Sequence, residues 1–203
     1  MGKKETIKYF NKDELNAFLK ELEKSRRKAE TEHKEKCAAR NEALFAIMYY
    51  CALRVTETTM LEIEDYNSLK KEIYCRRMKG GNNNTLRIID DWVLKIFERH
   101  LRLNKPTSYL FTSLNRKDKP LSRKTCDKIM KKTCESAGIP SSKGHCHVLR
   151  HTKAIYLAEK GLDIREIQYW LGHSYVANTE IYLKFTTKQY ETMYKKLNNT
   201  GGR

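Results

Sequence analysis

The stretch HCHVLRHTKAIYLAEKGLDIREIQYWLGHSYVANTEIY, residues 145–182, decides the fold. It reads as helix, break, helix, break, helix. Ala154, Ile155, Leu157 and Ala158 repeat at helical spacing, and Gly161 ends that run. Asp163 can N-cap the next helix, which carries Ile164, Ile167, Gln168 and Leu171 and stops at Gly172. His173 stands at that break. Asn178 or Thr179 can open a third short helix, with Tyr182 within its first turn or so. His147 and Arg150 are one helical turn apart and share a face. Polar side chains thus collect at the breaks, where they can face one site.

Upstream, the chain alternates helix and hairpin signals. Asn11 reads as an N-cap with Glu14 three residues on, opening a helix through Leu15, Phe18, Leu19 and Leu22. Residues 24–40, KSRRKAETEHKEKCAAR, are nearly all charge and read as a helical extension or a flexible insert with a solvated face. From Asn41 to Leu53 the chain is apolar on most sides, the mark of a buried helix. That helix delivers Arg54 at its end, where a guanidinium must be paired or serve an anion, and Glu57 is placed to hold it. TETTMLEIEDY follows as a short helix, with Glu62, Glu64 and Asp65 read as its solvated end.

EIYCRRM and TLRIID flank GGNNN as the strands and turn of a hairpin over residues 72–90, with Lys79 where the first strand meets the turn. Residues 92–103 return to helix, 110–112 are extended, KDKP is a loop, and Ser122 caps a helix through Ile129 and Met130. The expected fold is mainly α with a small antiparallel β-hairpin, an α+β domain without repeats or internal linker. The whole chain, 1–203, reads as one domain with a core over about residues 7–190. Residues 185–200 form an amphipathic tail helix bearing Phe185, Tyr190, Met193 and Leu197.

Composition narrows the partners. Lys and Arg total 41 against 25 Asp and Glu, a net charge of +16, which suits a polyanion such as nucleic acid. No apolar run approaches a membrane span, and MGKKETIKYF lacks the apolar core of a signal peptide, so a cytoplasmic site is expected. Cys37, Cys51, Cys75, Cys126, Cys134 and Cys146 show no C-x-x-C pair and read as free thiols. Cys126, Cys134, His145, Cys146 and His147 fit no common zinc spacing, and no metal is expected.

Three motifs carry a resemblance: H-x-L-R-H at His147–His151, L-G-H at Leu171–His173, and N-T-E-I-Y ending at Tyr182. Together, in type, order and spacing, they resemble the catalytic domain of the tyrosine recombinases, the phage integrase family. A-L-R-V-T-E, Ala52–Glu57, resembles the family's G-L-R-x-x-E motif, with Ala52 in place of the usual glycine. Lys79 falls where these enzymes keep a hairpin lysine. The resemblance implies a site-specific recombinase or integrase of a mobile element that cleaves and rejoins double-stranded DNA through a covalent 3′-phosphotyrosine. It needs no nucleotide or metal cofactor. The resemblance further implies a tetramer on DNA, with a monomer as the alternative without it, in a prokaryotic cytoplasm at the nucleoid. The family's N-terminal core-binding domain is not read in this chain, and the tail helix is expected either to exchange between protomers or to fold back on its own core.

The chemistry asks for these residue types. Tyr182 is the implied nucleophile, nine residues beyond His173; Tyr175, Tyr190 and Tyr194 are its rivals. Arg54 and Arg150 offer planar, permanently charged donors to the phosphorane oxygens, and one such preorganised donor is typically worth about 3 kcal/mol. His173 bonds a non-bridging oxygen. His147 serves as acid or base, taking the proton of Tyr182, and Lys79 protonates the leaving 5′-oxygen. Glu57 orients Arg54 or a histidine. His151 reads as a structural hydrogen-bonding residue, His145 and His151 as candidate DNA contacts, and Trp170 as core. Two rival readings remain: a type IB topoisomerase that rejoins the same strand, and a non-catalytic DNA-binding scaffold.

Overall fold

The computed structural model describes residues 7–78, 80–114, 116–186 and 194–195. Helix α1 (Lys12–Arg27) opens on the expected capping box: Asn11 Oδ1 accepts from Glu14 N, and Glu14 Oε2 accepts from Asn11 N, both at 2.8 Å. Its buried face carries Phe18, edge-on to Phe45 at 5.5 Å. Helix α2 (Glu32–Tyr50) begins nine residues before the expected Asn41, because Thr31 Oγ1 caps it by accepting from Lys34 N.

Residues 24–40 are therefore the end of one helix, a turn, and the start of the next, rather than an insert. Nor is the segment simply solvated. Arg26 reaches the buried Glu42 at 2.7 Å, and Arg40 donates to the Thr112 carbonyl at 3.0 Å. From Ala39 onward α2 is buried almost continuously, which makes it the central rod. It packs against α1, α4 (Asp91–Asn104) and α6 (His147–Glu159).

Between α2 and α4 lie α3 (Val55–Thr59) and a three-stranded antiparallel sheet, β1 (Tyr66–Asn67), β2 (Glu72–Cys75) and β3 (Asn84–Arg87), in that order. The expected hairpin is β2–β3, with Ile73 opposite Leu86 and both buried. Asp65 departs from its solvated reading. It is buried, accepting from Glu62 N at 2.9 Å and pairing with Arg76 at 3.0 Å.

KDKP also departs, since it belongs to β5 (Arg116–Pro120), paired antiparallel with β4 (Thr112–Ser113). Backbone pairing there overrides weak strand propensity, and Pro120 sits at the strand end, where a missing N–H costs least. Ser122 caps α5 (Arg123–Ser136) as expected.

The C-terminal third follows the helix–break–helix reading. After α6, Asp163 Oδ1 accepts from Arg165 N and Glu166 N to cap α7 (Ile164–Leu171), and Gly172 ends it at φ +64°. Helix α8 (Ala177–Leu183) starts earlier than Asn178 and has no side-chain cap; the Thr179 hydroxyl turns instead to His173. One core cluster joins α1, α2, α4, α5 and the sheet. A second, with Ala154, Ile155, Ile167, Leu171 and Tyr182, joins α6, α7 and α8, and Trp170 packs against both. Lys79 and the tail beyond Thr186, except Tyr194 and Lys195, lie outside the described residues.

Candidate active site

Two helix ends frame the site. Helix α2 stops at Cys51, and Ala52 takes the left-handed conformation at φ +50° before the chain runs into α3. A non-glycine residue pays about 1 kcal/mol for that conformation, which gives a physical reason for glycine to be usual there. Helix α7 stops at Trp170–Leu171. Two arginines tie these ends together. Arg150 donates to the Ala52 carbonyl at 2.5 Å and to the Leu171 carbonyl at 2.8 Å. Arg77 donates to Cys51 O at 3.2 Å and Trp170 O at 2.7 Å. Carbonyls at helix C-termini lack intrahelical partners and carry partial negative charge, so cations suit them.

Each tie delivers a candidate residue just past its break: Arg54 after Ala52, and His173 after Gly172. Gly172 has no room for a side chain, because a Cβ there would lie 2.6 Å from Arg77 Nε and 2.7 Å from Asn82 O.

Glu57 is the hub between the guanidinium groups. Its side chain is fully buried. It accepts from Arg54 N at 2.9 Å, from the Arg54 guanidinium at 2.6 Å and from Met78 N at 3.1 Å. Arg77 and Arg150 lie 3.5 and 3.9 Å from Oε2, the oxygen that accepts from Arg54 N. Burial alone would raise its pKa, but these hydrogen bonds and the Arg150 charge hold it below the usual carboxylate value. The bond to Met78 N also anchors the chain just beyond β2.

The histidines and Tyr182 line the other side. Tyr182 Oη and His151 Nδ1 are 2.8 Å apart, and the His147 ring meets His151 edge-on at 4.5 Å. His173 Nδ1 bonds Thr179 Oγ1 at 3.0 Å, which leaves Nε2 for other partners. Burial, then the charges of Arg150 and Arg54, lower the His173 pKa to about 3. Burial and the neighbouring His147 and Arg150 lower His151 to about 4. Burial, then the charges of Arg150 and Arg54, lower His147 to about 4. Tyr182 is 2% exposed, and burial raises its pKa against the opposing pull of Arg150 and Arg54. Arg150 falls to about 10 through burial and remains cationic at neutral pH.

Arg54, Glu57, His147, Arg150, His173 and Tyr182 thus share one electrostatic neighbourhood. His145 stands at its edge, exposed, just before α6. The sequence reading missed Arg77. Its signal was there in the strand alternation: Ile73, Cys75 and Arg77 face inward while Tyr74 and Arg76 face out. His151 was placed among structural residues, although the i, i+4 spacing sets it on the face of His147.

Comparison with known proteins agrees with this geometry. Residues 8–189 match the phage integrase family. The chain is 38% identical over 160 residues to tyrosine recombinase XerA of Pyrococcus horikoshii, covering 77% of this chain and 54% of that protein. It is 30% identical over 164 residues to tyrosine recombinase XerD of Staphylococcus saprophyticus, covering 77% and 54%. The chain spans about half the length of the curated relatives it matches. Among solved structures, XerA recombinase superposes with a TM-score of 0.73 at 26% identity, over 97% of this chain and 66% of that one. The catalytic domain of bacteriophage HP1 integrase shares the fold, with a TM-score of 0.65 at 19% identity over 94% and 95%. The motifs, the helical fold with its small sheets and these likenesses agree: the chain belongs to the phage integrase family and carries a tyrosine recombinase catalytic domain.

Proposed function

We propose that this protein is a site-specific DNA strand transferase that works through a 3′-phosphotyrosine. The observation that carries the reading is the position of the Tyr182 hydroxyl, bonded to a histidine within the field of Arg54 and Arg150. Tyr182 Oη attacks a DNA phosphate, the P–O5′ bond breaks, and the 5′-hydroxyl of another strand later attacks the phosphotyrosine and restores the backbone. Arg54 and Arg150 neutralise the phosphorane oxygens, and His173 adds a donor through Nε2. His147 is an acid–base group at the phosphate. Lys79 protonates the leaving oxygen. His145 contacts the backbone nearby.

Arg150 and Tyr182 are both buried, so a phosphate reaches them only once the site opens. The substrate is double-stranded DNA, as the net charge of +16 favours. Support also comes from a structural relative, the XerH recombinase bound to its difH substrate. The working form is a homo-oligomer, a tetramer, on double-stranded DNA at the prokaryotic nucleoid, with a monomer as the form without DNA.

The test is a nicked suicide substrate that traps the covalent adduct. The unsubstituted chain should form it and Tyr182→Phe should not; an adduct that persists in Tyr182→Phe rejects this nucleophile. Strand exchange between two labelled duplexes separates recombination from relaxation of a single duplex.

A further inference from the structure

We propose that His151, through Nδ1, accepts the phenolic proton of Tyr182 as the tyrosine attacks the phosphate, and returns that proton when the tyrosine leaves. The inference rests on the strand-transfer reading but concerns a residue to which that reading gives no proton.

Geometry carries it. A general base must lie within hydrogen-bonding reach of the proton it removes, about 2.6–3.2 Å between heavy atoms. His151 Nδ1 lies 2.8 Å from the Tyr182 oxygen. His147 touches the His151 ring edge-on, and the described hydrogen bond of the Tyr182 hydroxyl is shared with His151 Nδ1. The two histidines therefore divide the work: His147 sits at the outer, exposed end of α6, and His151 sits one turn deeper behind the nucleophile.

The surroundings keep His151 ready. Facing it are His147 and Arg150 on its own helix, His145 just before that helix, and Tyr182 from α8; Arg54 adds to the field on the tyrosine. Burial and these neighbours hold the imidazole neutral, and the tautomer with its proton on Nε2 presents the Nδ1 lone pair to the Tyr182 hydroxyl. An arriving phosphate changes the balance, because a nearby anion favours imidazolium. The step balances. The Tyr182 Oη–P bond forms, the P–O5′ bond breaks, the phenolic proton moves to Nδ1, and the leaving oxygen takes a proton from the site's general acid. Reversal needs the same imidazolium to reprotonate the phenolate.

The test is single-turnover cleavage of the suicide substrate against pH. His151→Asn keeps an acceptor oxygen near the Nδ1 position but cannot take a proton. Loss of a general base predicts a ~100- to 10,000-fold slower cleavage near neutral pH. It also predicts a rate that climbs about tenfold per pH unit towards the tyrosine range near pH 10. Adding imidazole to His151→Ala should restore part of the rate. His151→Asn cleaving within about threefold of the unsubstituted chain, with the same pH profile, overturns the proposal. A structural role for His151 would lower the rate equally at every pH and would not answer to imidazole, and that result overturns it too.

Should neither variant fold, the unsubstituted chain still decides. On DNA whose leaving oxygen is replaced by sulfur, which needs no protonation, the rate should level off below about pH 8. A rate that keeps climbing to about pH 10 means that no histidine takes the proton. Loss of the adduct in Tyr182→Phe, scored in parallel, tests the strand-transfer reading separately.

Discussion

Replacing Glu57 by glutamine tests whether one buried carboxylate holds the arginines in place. The side chain is fully buried and faces Arg54 at 2.6 Å, Arg77 at 3.5 Å and Arg150 at 3.9 Å. At an effective dielectric of about 20, a unit charge 3.5 Å away is worth about 5 kcal/mol. Desolvating the carboxylate offsets several kcal/mol of the combined attraction. Glutamine keeps the shape and some of the accepted hydrogen bonds, but it leaves the buried guanidinium groups of Arg77 and Arg150 without a counter-charge. Removing one partner of a buried pair costs about 3–5 kcal/mol, and that range is the expectation for Glu57→Gln.

Urea or thermal unfolding at neutral pH measures it. For a chain of this length, about 4 kcal/mol corresponds to roughly 8–16 °C in Tm. The pH dependence adds a second check. The folded pKa of Glu57 lies below its unfolded value, so its contribution is fully present above about pH 4.3 and is lost as pH falls through the folded pKa. The gap between the unsubstituted chain and Glu57→Gln should narrow in that acidic window. Glu62→Gln, whose partner Arg76 is half exposed, should cost about 1 kcal/mol or less. A loss below about 1 kcal/mol for Glu57→Gln would refute the hub, since it would mean that the arginines do not depend on this charge.

Gly172→Ala should cost about 3 kcal/mol or more in urea unfolding, because the methyl meets Arg77, itself pinned by three hydrogen bonds, and the left-handed backbone adds strain. Lys153 is buried with its ammonium 4.7 Å from the Tyr50 ring centre and 4.9 Å from that of Trp170, and burial lowers its pKa to about 8. The folded state therefore resists this proton, a penalty present below about pH 8 and relieved as pH rises to the unfolded value near 10.4. Relative to Lys153→Met, the unsubstituted chain should gain about 3 kcal/mol between about pH 7 and pH 10, read by chemical unfolding at each pH. Affinity for duplex DNA should fall about a thousandfold or more between about 50 and 200 mM salt; a flat salt dependence in a filter or anisotropy assay would count against phosphate-dominated binding.

Much of the site was legible because its residues stand at chain breaks, and breaks announce themselves. Gly172 and Asp163 are stop and start signals with a mechanism, so His173 could be placed just past a helix end. Arg54 stood out as a charge at the end of an apolar run. What stayed hidden depends on contacts across the chain. Asp65 reads as solvated until Arg76 and the Glu62 amide close on it. Arg40 reads as one more surface charge until the Thr112 carbonyl, 72 residues away, accepts from it. The strand at KDKP has no propensity of its own and exists through its pairing with β4. Helix α2 starts early because a threonine caps a charged turn, a local signal outweighed on reading by the density of charge around it.

Arg77 and His151 show why a motif can name a nucleophile and still miss what steadies it. A motif records side chains at fixed spacing, while Arg77 acts through backbone carbonyls that any residue would supply. Cys51 and Trp170 offer only their C=O groups to it, as Ala52 and Leu171 do to Arg150. The two guanidinium groups span the same pair of helix ends side by side, so neither end can drift without breaking bonds to both. Lysine could not replace either one, since a single ammonium lacks the planar fork that reaches two carbonyls on different elements. The separation of Arg54 from His173 is thereby set by two forks of fixed geometry. On the tyrosine side, hydrogen bonds join Thr179 with His173 and Tyr182 with His151. The arginine frame thus ties backbone to backbone across two helix ends, whereas these bonds to α8 run between side chains.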